Sequence, residues 1–295
     1  MRGLLVITLL VGVPNLASAQ TPPGTDVYLV SVKLKGSSLV VGVPKNLTHR
    51  PGYDNQPSFA PDGKTLFYTA TLPGGPNGTT QSDIFRVAVA TGQTTPVVRT
   101  PESEYSATVI PGTSDIAVIR VEADSTQRLW AFPIGGGSPR LLFEKIKPVG
   151  YQAWLSSTKV GLFVLGSPAT LHLADLTTGD SRVLLSNIGR ALQPSPGSTR
   201  ISVSHQVAEK EWWIVEVDPA TAARTSIVKL PEGADFFVWL PDGSLLTAAG
   251  KRLLRWASGG EWVTVATLTV PGAISRLALS RRGDWLAFVA EDPAP

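Results

Sequence analysis

The chain has 295 residues, among them 28 glycines and 24 prolines, a share of backbone punctuators well above the norm for a globular protein. Hydrophobic residues make up 43%, enough for a sizeable core, while charged residues reach only 17%, which argues against a disordered, coiled-coil or nucleic-acid-coating chain. There is no cysteine and the single methionine is the initiator, which excludes disulfides, thiolate metal sites, a catalytic thiol and haem ligation by sulfur, and the formal net charge of +3 is too small to imply a nucleic-acid partner.

At the N-terminus, Arg2 precedes the apolar run Leu4 to Val13, a break at Pro14-Asn15 and the small-residue triplet Ala17-Ser18-Ala19. Charge, apolar core and cleavage site in that order predict a signal peptide over residues 1–19 and a mature start at Gln20. The run is about half of the roughly 20 residues that span a bilayer, and no later segment approaches that length, so no membrane span is expected. Without a cysteine at the cleavage site a lipid anchor is not expected, and the location reads as periplasmic or secreted. Residues 20–25 then form a short leader to one domain over 26–295.

Asp26 to Val32 runs through Lys35-Gly36 into Leu39 to Gly42, a hairpin that matches the unit from Asp83 to Val89 in spacing and residue type. Asn46-Leu47-Thr48 and Asn77-Gly78-Thr79 fit the N-glycosylation pattern; in a bacterial chain they are coincidence, and the second is also a tight-turn signal. From there a unit recurs: a short strand, a turn of the Pro-Asp-Gly kind, then a more apolar strand. The clearest copies are Ser58 to Tyr68, turning at Pro61-Asp62-Gly63, and Val238 to Leu246, turning at Pro241-Asp242-Gly243. Weaker copies turn at Pro111-Gly112-Thr113, Ser156-Ser157-Thr158, Pro196-Gly197-Ser198 and Arg281-Arg282-Gly283. Six turns spaced about 44 residues apart match the period of a propeller blade.

A second hairpin follows each of the first five units, beginning at Asp83 and near Gln127, Thr170, Glu211 and Lys251. The last unit, Ile274 to Ala290, has none after it, so the Asp26 hairpin at the other end must complete its blade. The expected fold is all-β: a six-bladed β-propeller of four-stranded antiparallel blades, closed by N- and C-terminal strands sharing one blade.

The spans Asn46-Leu47-Thr48, Pro51 to Gly63 and Ser82-Asp83-Ile84-Phe85 resemble the propeller repeat of TolB-like periplasmic proteins, and the same repeat is similar to that in the propellers of dipeptidyl peptidase IV and related prolyl peptidases. The TolB-like translocation proteins carry an α/β domain ahead of the propeller, where only Thr21 to Thr25 precede the first strand here. The peptidases carry a hydrolase domain, and no Gly-x-Ser-x-Gly elbow occurs in this sequence. The resemblance implies a stand-alone propeller.

Chemistry-bearing motifs are sparse. The histidines are His49, His172 and His205; His172 lies within an alternating strand, and His49 and His205 fall on opposite sides of a six-fold ring, so a three-histidine metal site is not expected. Gly135-Gly136-Gly137-Ser138 lacks the ending of a phosphate loop and reads as a hairpin turn. The eight tryptophans recur at strand positions and read mainly as inter-blade packing. What remains is the set of loops that link one blade to the next and emerge together on one face. They hold His49, Arg50, Tyr53, Asp54 and Asn55; Glu102, Glu104 and Tyr105; Lys147 and Tyr151; Asn187 and Arg190; Asp235 and Phe236; and Arg276. The opposite face carries the Pro-Asp-Gly-type turns and promises little else.

Mixed charge with tyrosine suits recognition of a protein, peptide or cell-envelope glycan by a monomeric, non-catalytic module without a cofactor. The alternative is a lactonase-like six-bladed hydrolase holding Ca²⁺ at the channel mouth with oxygen ligands from Asp54, Asn55, Glu104, Asn187 and Asp235. Lys147, Arg190 and Arg276 on the same rim would offset the negative field such a site needs. A purely structural scaffold is a third possibility.

Overall fold

A computed structural model describes residues 24–75 and 78–293. The expected signal peptide, and Asn77 of the second glycosylation pattern, lie outside these residues. Among them every regular element longer than a turn is a β-strand. The chain opens with β1 (Thr25–Lys35), β2 (Ser38–Val41) and the short β3 (Lys45–Asn46). Blade one is β4 (Asp54–Phe59), β5 (Thr65–Pro73), β6 (Thr80–Ala88) and β7 (Thr94–Val98); blade two is β8 (Ser103–Val109), β9 (Asp115–Val121), β10 (Gln127–Pro133) and β11 (Arg140–Leu141). Blade three is β12 (Val149–Trp154), β13 (Lys159–Val164), β14 (Thr170–Asp175) and β15 (Ser181–Ser186); blade four is β16 (Ile188–Pro194), β17 (Ile201–Ala208), β18 (Glu211–Val217) and β19 (Arg224–Lys229). Blade five is β20 (Phe237–Trp239), β21 (Leu245–Ala249), β22 (Arg252–Trp256) and β23 (Val263–Thr267), and the chain ends with β24 (Ile274–Leu279) and β25 (Trp285–Glu291).

The sixth blade has the order β2-β1-β25-β24, so two strands come from each end of the chain, with β3 pairing alongside β1. All pairings within the blades are antiparallel, and β1 meets β25 in an unbroken register from Thr25 opposite Glu291 to Ser31 opposite Trp285. The six-bladed ring and its shared closing blade are thus as the repeat spacing predicts.

Burial along each blade follows from its place in the ring. The second strand of a blade is covered on both faces by the neighbouring blades, and it accordingly reads as a continuous apolar run: Leu66 to Ala70 in β5, Leu245 to Ala249 in β21 and Leu286 to Ala290 in β25 are buried throughout. The outermost strands β7, β15, β19 and β23 are rich in Thr, Ser and Arg and largely exposed, a composition that blunts an open edge. Six apolar clusters fill the six gaps between blades. In the gap between blades five and six, Tyr28, Val30 and Phe288 pack against Val238, Leu246 and Leu253, and Tyr28 stacks on Phe288 at 5.5 Å between centroids. In the next gap, between blades six and one, Val27, Leu29 and Val289 pack against Leu66, Tyr68 and Val87.

The first-hairpin turns are local geometry. Asp62 Oδ1 accepts from the backbone N–H of Lys64 at 2.8 Å and of Thr65 at 3.2 Å, while Gly63 supplies the left-handed φ of +66° that closes the turn. Blade three manages without glycine: Ser156 Oγ accepts from the N–H of Thr158 at 3.2 Å and of Lys159 at 3.0 Å.

Deleting residues 26–42 removes the partner of β25, whose Leu286 to Ala290 are buried, and leaves its edge open. The shortened chain is expected to lose its cooperative melt and to aggregate, as read by circular dichroism and light scattering; a melt like that of the full chain would mean that the two ends do not hold the ring. Phe288→Ala in the full chain is expected to cost about 3–5 kcal/mol in denaturant titration, the usual toll for emptying a fully buried aromatic site.

Candidate functional site

The first strand of each blade lines the central channel, and its irregularities aim the side chains. In β4, β8 and β24 the pairing register slips between Asn55 and Ser58, between Tyr105 and Thr108, and between Ser275 and Ala278. Inside each slip one residue takes a left-handed backbone: Gln56 at φ +58°, Ser106 at +55° and Arg276 at +49°. Such bulges redirect a side chain that regular pleating would send into an inter-blade gap. All three lie five residues before the first residue of their turn, and the same offset in the other blades falls on Tyr151, Ala191 and Phe236. These six residues form a ring around a chamber of about 130 Å³.

Arg276 organises the chamber. It leaves blade six and reaches Tyr151 on blade three, the blade opposite, where its Nη2 donates to the phenol oxygen at 2.7 Å. Its guanidinium carbon lies 4.7 Å from the Tyr151 ring centroid and 4.4 Å from that of Phe236, so the charge is held against two aromatic faces. Tyr151 is steadied from behind by Phe163, edge-on at 5.6 Å. The phenol of Tyr53 is pushed up to about 12 by burial, with Arg276 and Arg190 opposing the rise and Tyr151 and Tyr105 adding to it. Five of the sequence-predicted residues, Tyr53, Tyr105, Tyr151, Arg190 and Arg276, are thus brought into one electrostatic neighbourhood. Neither Arg276 nor Arg190 forms an ion pair among the described residues.

The other predicted residues sit elsewhere. Arg50 is a clamp: it pairs with Asp54, and its Nη1 donates to the carbonyls of Thr71 at 3.2 Å and Pro51 at 3.3 Å. Asp54 is fully buried at the start of β4, and desolvation raises its carboxyl to about 6 against the pull of Arg50. His49 is exposed with its N–H on Asn46 Oδ1 at 2.9 Å. Glu102 and Glu104 lie at the boundary of blades one and two, where Arg120 pairs with Glu102 and stands 3.7 Å from Glu104. Glu104 is fully buried, accepts from Thr100 Oγ1, and is pushed up to about 7 by desolvation. Asp235 is exposed on the rim of a side cavity of about 230 Å³ that it shares with Arg190, Ser204, Trp212 and Phe163. Of the oxygen ligands weighed for Ca²⁺, Asp54 and Glu104 each face an arginine, and Asn55 donates to Thr25 Oγ1 at 3.3 Å while its Oδ1 accepts from the Gln56 N–H at 2.8 Å. No group of three His, Asp or Glu side chains among the described residues is placed to hold a metal ion.

Sequence reasoning passed over three glutamines and an entire face. Gln56 Oε1 accepts from Thr69 Oγ1 and from the Ser106 N–H at 2.9 Å; Gln152 Nε2 donates to the carbonyls of Ser106 at 2.9 Å and Ala117 at 2.8 Å; Gln193 Nε2 donates to the Phe237 carbonyl at 2.7 Å. Each therefore ties its blade to a neighbour around the channel. On the turn face the channel widens into a funnel of about 1070 Å³. Its wall includes one apolar residue from each blade, two positions before the turn: Phe59, Val109, Trp154, Pro194, Trp239 and Leu279. That face is therefore more than a ring of turns, and the signal was the same fixed offset from the turn that the blade count rests on.

The raised carboxyl of Glu104 has a sign. Below about pH 4.5 it is neutral whether the chain is folded or unfolded; above that the unfolded chain ionises while the folded site resists until about 7. The ionisation penalty of its burial is therefore absent in acid and destabilises the fold increasingly as pH rises from 4.5 to 7, by about 3 kcal/mol at full effect. Glu104→Gln is expected to raise the melting temperature at pH 8 and to change it little at pH 4.5; an equal change at both would remove this account.

No family model and no curated protein sequence matches the chain. Solved structures do. A protein described as TolB from Agrobacterium tumefaciens superposes with a TM-score of 0.71 at 17% identity, covering 92% of this chain and 99% of that one. An oligogalacturonate lyase in complex with manganese gives 0.56 at 15% identity over 85% of this chain and 80% of its own. TolB from Acinetobacter baumannii gives 0.54 at 12% identity, with 91% of this chain matching 64% of that longer one. At such identities the likeness speaks for architecture, and the chain has the fold of a TolB-like six-bladed β-propeller.

Proposed function

We propose that the chain is an exported binding module that engages a protein or peptide of the cell envelope on the blade-linking face, around the mouth of the central channel. The observation that supports this most is the cluster of Tyr53, Tyr105, Tyr151, Phe236, Arg190 and Arg276. Tyrosine and arginine are the side chains that dominate binding hot spots, because they combine large contact area with directional hydrogen bonds. Here they are pre-ordered: Arg276 is held between two rings and bonded to Tyr151, so little rotamer freedom is left to lose on binding. The tripartite leader at residues 1–19 supports export, and the TolB-like fold is consistent with an envelope location.

The reading is tested by placing a photo-crosslinking side chain at His49 or Asp235, both exposed on this face, or at Val183 on an outer blade edge. Crosslinked partners are expected from the first two positions and not from Val183. Tyr53→Ala and Tyr105→Ala are expected to weaken binding of the recovered partner by roughly 5- to 30-fold, equivalent to 1–2 kcal/mol. Crosslinks independent of position, or none from the intact face, would refute the assignment.

A further inference from the structure

We infer that the side cavity next to the channel is a binding site for a free aromatic α-amino acid, whose ring enters the cavity while its carboxylate meets Arg190 and its ammonium meets Asp235. This goes beyond the function proposed for the blade-linking face and does not depend on a macromolecular partner there. The cavity, about 230 Å³, is walled by Phe163 of blade three, by Ile188, Arg190 and Trp212 of blade four, and by Leu230 and Asp235 of the link into blade five. Its place in the fold has a local cause. The pairing of β16 with β17 slips between Ile188 and Leu192, and Gly189 and Arg190 lie inside that slip. Gly189 also lines the cavity, and a Cβ there would lie 2.3 Å from Ser204 Oγ and 3.0 Å from Trp212 Cζ3, so the indole packs on bare backbone where any side chain would displace it.

Size, lining and charge together describe the occupant. The volume lies between the roughly 150 Å³ that accommodates a benzene ring and the roughly 300 Å³ at which sites for drug-sized ligands begin, which suits one ring with a short stem. The walls offer that ring two aromatic partners, Phe163 and Trp212, and two buried aliphatic ones, Ile188 and Leu230. At the rim stand one cation and one anion, Arg190 and Asp235, both exposed. No ion pair within 4.0 Å joins them, and neither has another ion-pair partner among the described residues. Opposite charges that share a rim without meeting are complementary to a ligand that carries both signs on adjacent groups. An α-amino acid does so on a single carbon, and its carboxylate can be gripped by the arginine with two parallel bonds.

The pair of charges separates this ligand from others that would fill the same space. An aromatic acid or a fatty acid would meet Arg190 and leave Asp235 facing a carboxylate of its own sign. An aromatic amine would meet Asp235 and bring a second cation to Arg190. A sugar would have its hydroxyls stripped of water against Phe163, Ile188, Trp212 and Leu230 with few partners to replace it. Because both rim charges stay in water, each contributes a modest preference rather than a large one, and the ring in the cavity supplies the rest.

The test is isothermal titration calorimetry on the full mature chain with L-phenylalanine and its relatives. L-Phenylalaninamide keeps the ammonium and loses the carboxylate charge, 3-phenylpropionate keeps the carboxylate and lacks the ammonium, and glycine has both charges and no ring. L-Phenylalanine is expected to bind, and each relative to bind weaker by about fivefold or more. Arg190→Gln should weaken phenylalanine by about threefold or more and leave phenylalaninamide unchanged, whereas Asp235→Asn should weaken phenylalanine to the same degree and leave 3-phenylpropionate unchanged. Both side chains are exposed, so neither variant endangers the fold. Asp235 lies outside the lining of the chamber, so an effect of Asp235→Asn on phenylalanine is separable from the partner binding proposed for the blade-linking face. No binding of phenylalanine, equal binding of glycine, or indifference to both charge variants would overturn the inference. Phenylalaninamide binding as tightly as phenylalanine would give the cavity to the N-terminus of a peptide and overturn the choice of a free amino acid.

Discussion

The structure depends on one strand pair. Seven residues of β1 run antiparallel to seven of β25, and through that ladder a chain that would otherwise be an open row of blades becomes a ring. The pairing joins the most buried strand of the last blade to the first strand of the chain, with Val27, Val30, Leu286, Phe288 and Val289 excluded from solvent. Because apolar strand faces on both sides of this blade pack against blades five and one, the ladder also completes two of the six inter-blade clusters. A closed ring leaves only short outer edges exposed, and those are the strands that the sequence furnishes with Thr, Ser and Arg.

Closure fixes the geometry on which any axial site relies. Six inner strands arriving at one axis place side chains from blades distant in sequence within a few ångströms of each other, which is how Arg276 meets a residue 125 positions away. The glutamines bonded across neighbouring blades, and Trp239 donating its indole N–H to Ser202 at 2.9 Å, stitch the inner strands together so that this arrangement is held by more than apolar contact. The bulges then convert a strand whose side chains would otherwise alternate into one that presents selected residues to the channel. The channel is in consequence asymmetric: aromatic, phenolic and cationic at the blade-linking end and apolar at the turn end.

The same geometry sorts the polar residues of the blade-linking loops into two kinds. Asp54 and Glu104 open the inner strands of successive blades, and both are buried, with an arginine set against the charge. They hold the loop ends down rather than face a ligand, and their raised carboxyls record the cost of that burial. Tyr151, Arg190 and Arg276 line the inner chamber instead. Residue type and loop membership are common to both kinds, so neither could tell them apart.

The architecture was legible in the sequence because it rests on local signals that repeat. Five of the six turns carry a Pro, Asp or Gly for their own backbone angles and the sixth a serine cap, and the second strands are mostly apolar because blades cover them on both sides. Counting the turns therefore counts the blades, and the hairpin left unmatched at each end predicts the shared one. The site was legible only as a list of loop residues. Which of them meet was decided by the ring, since contacts such as Arg276 with Tyr151 follow from six blades closing around an axis and from a register slip of one residue in an inner strand. No local pattern encodes the first, and the second alters a side chain's direction without altering the composition of its strand. The apolar funnel was hidden for the same reason: Phe59, Val109, Trp154, Pro194, Trp239 and Leu279 are unremarkable strand-end residues one at a time, and they form a wall only when the closed ring sets them side by side.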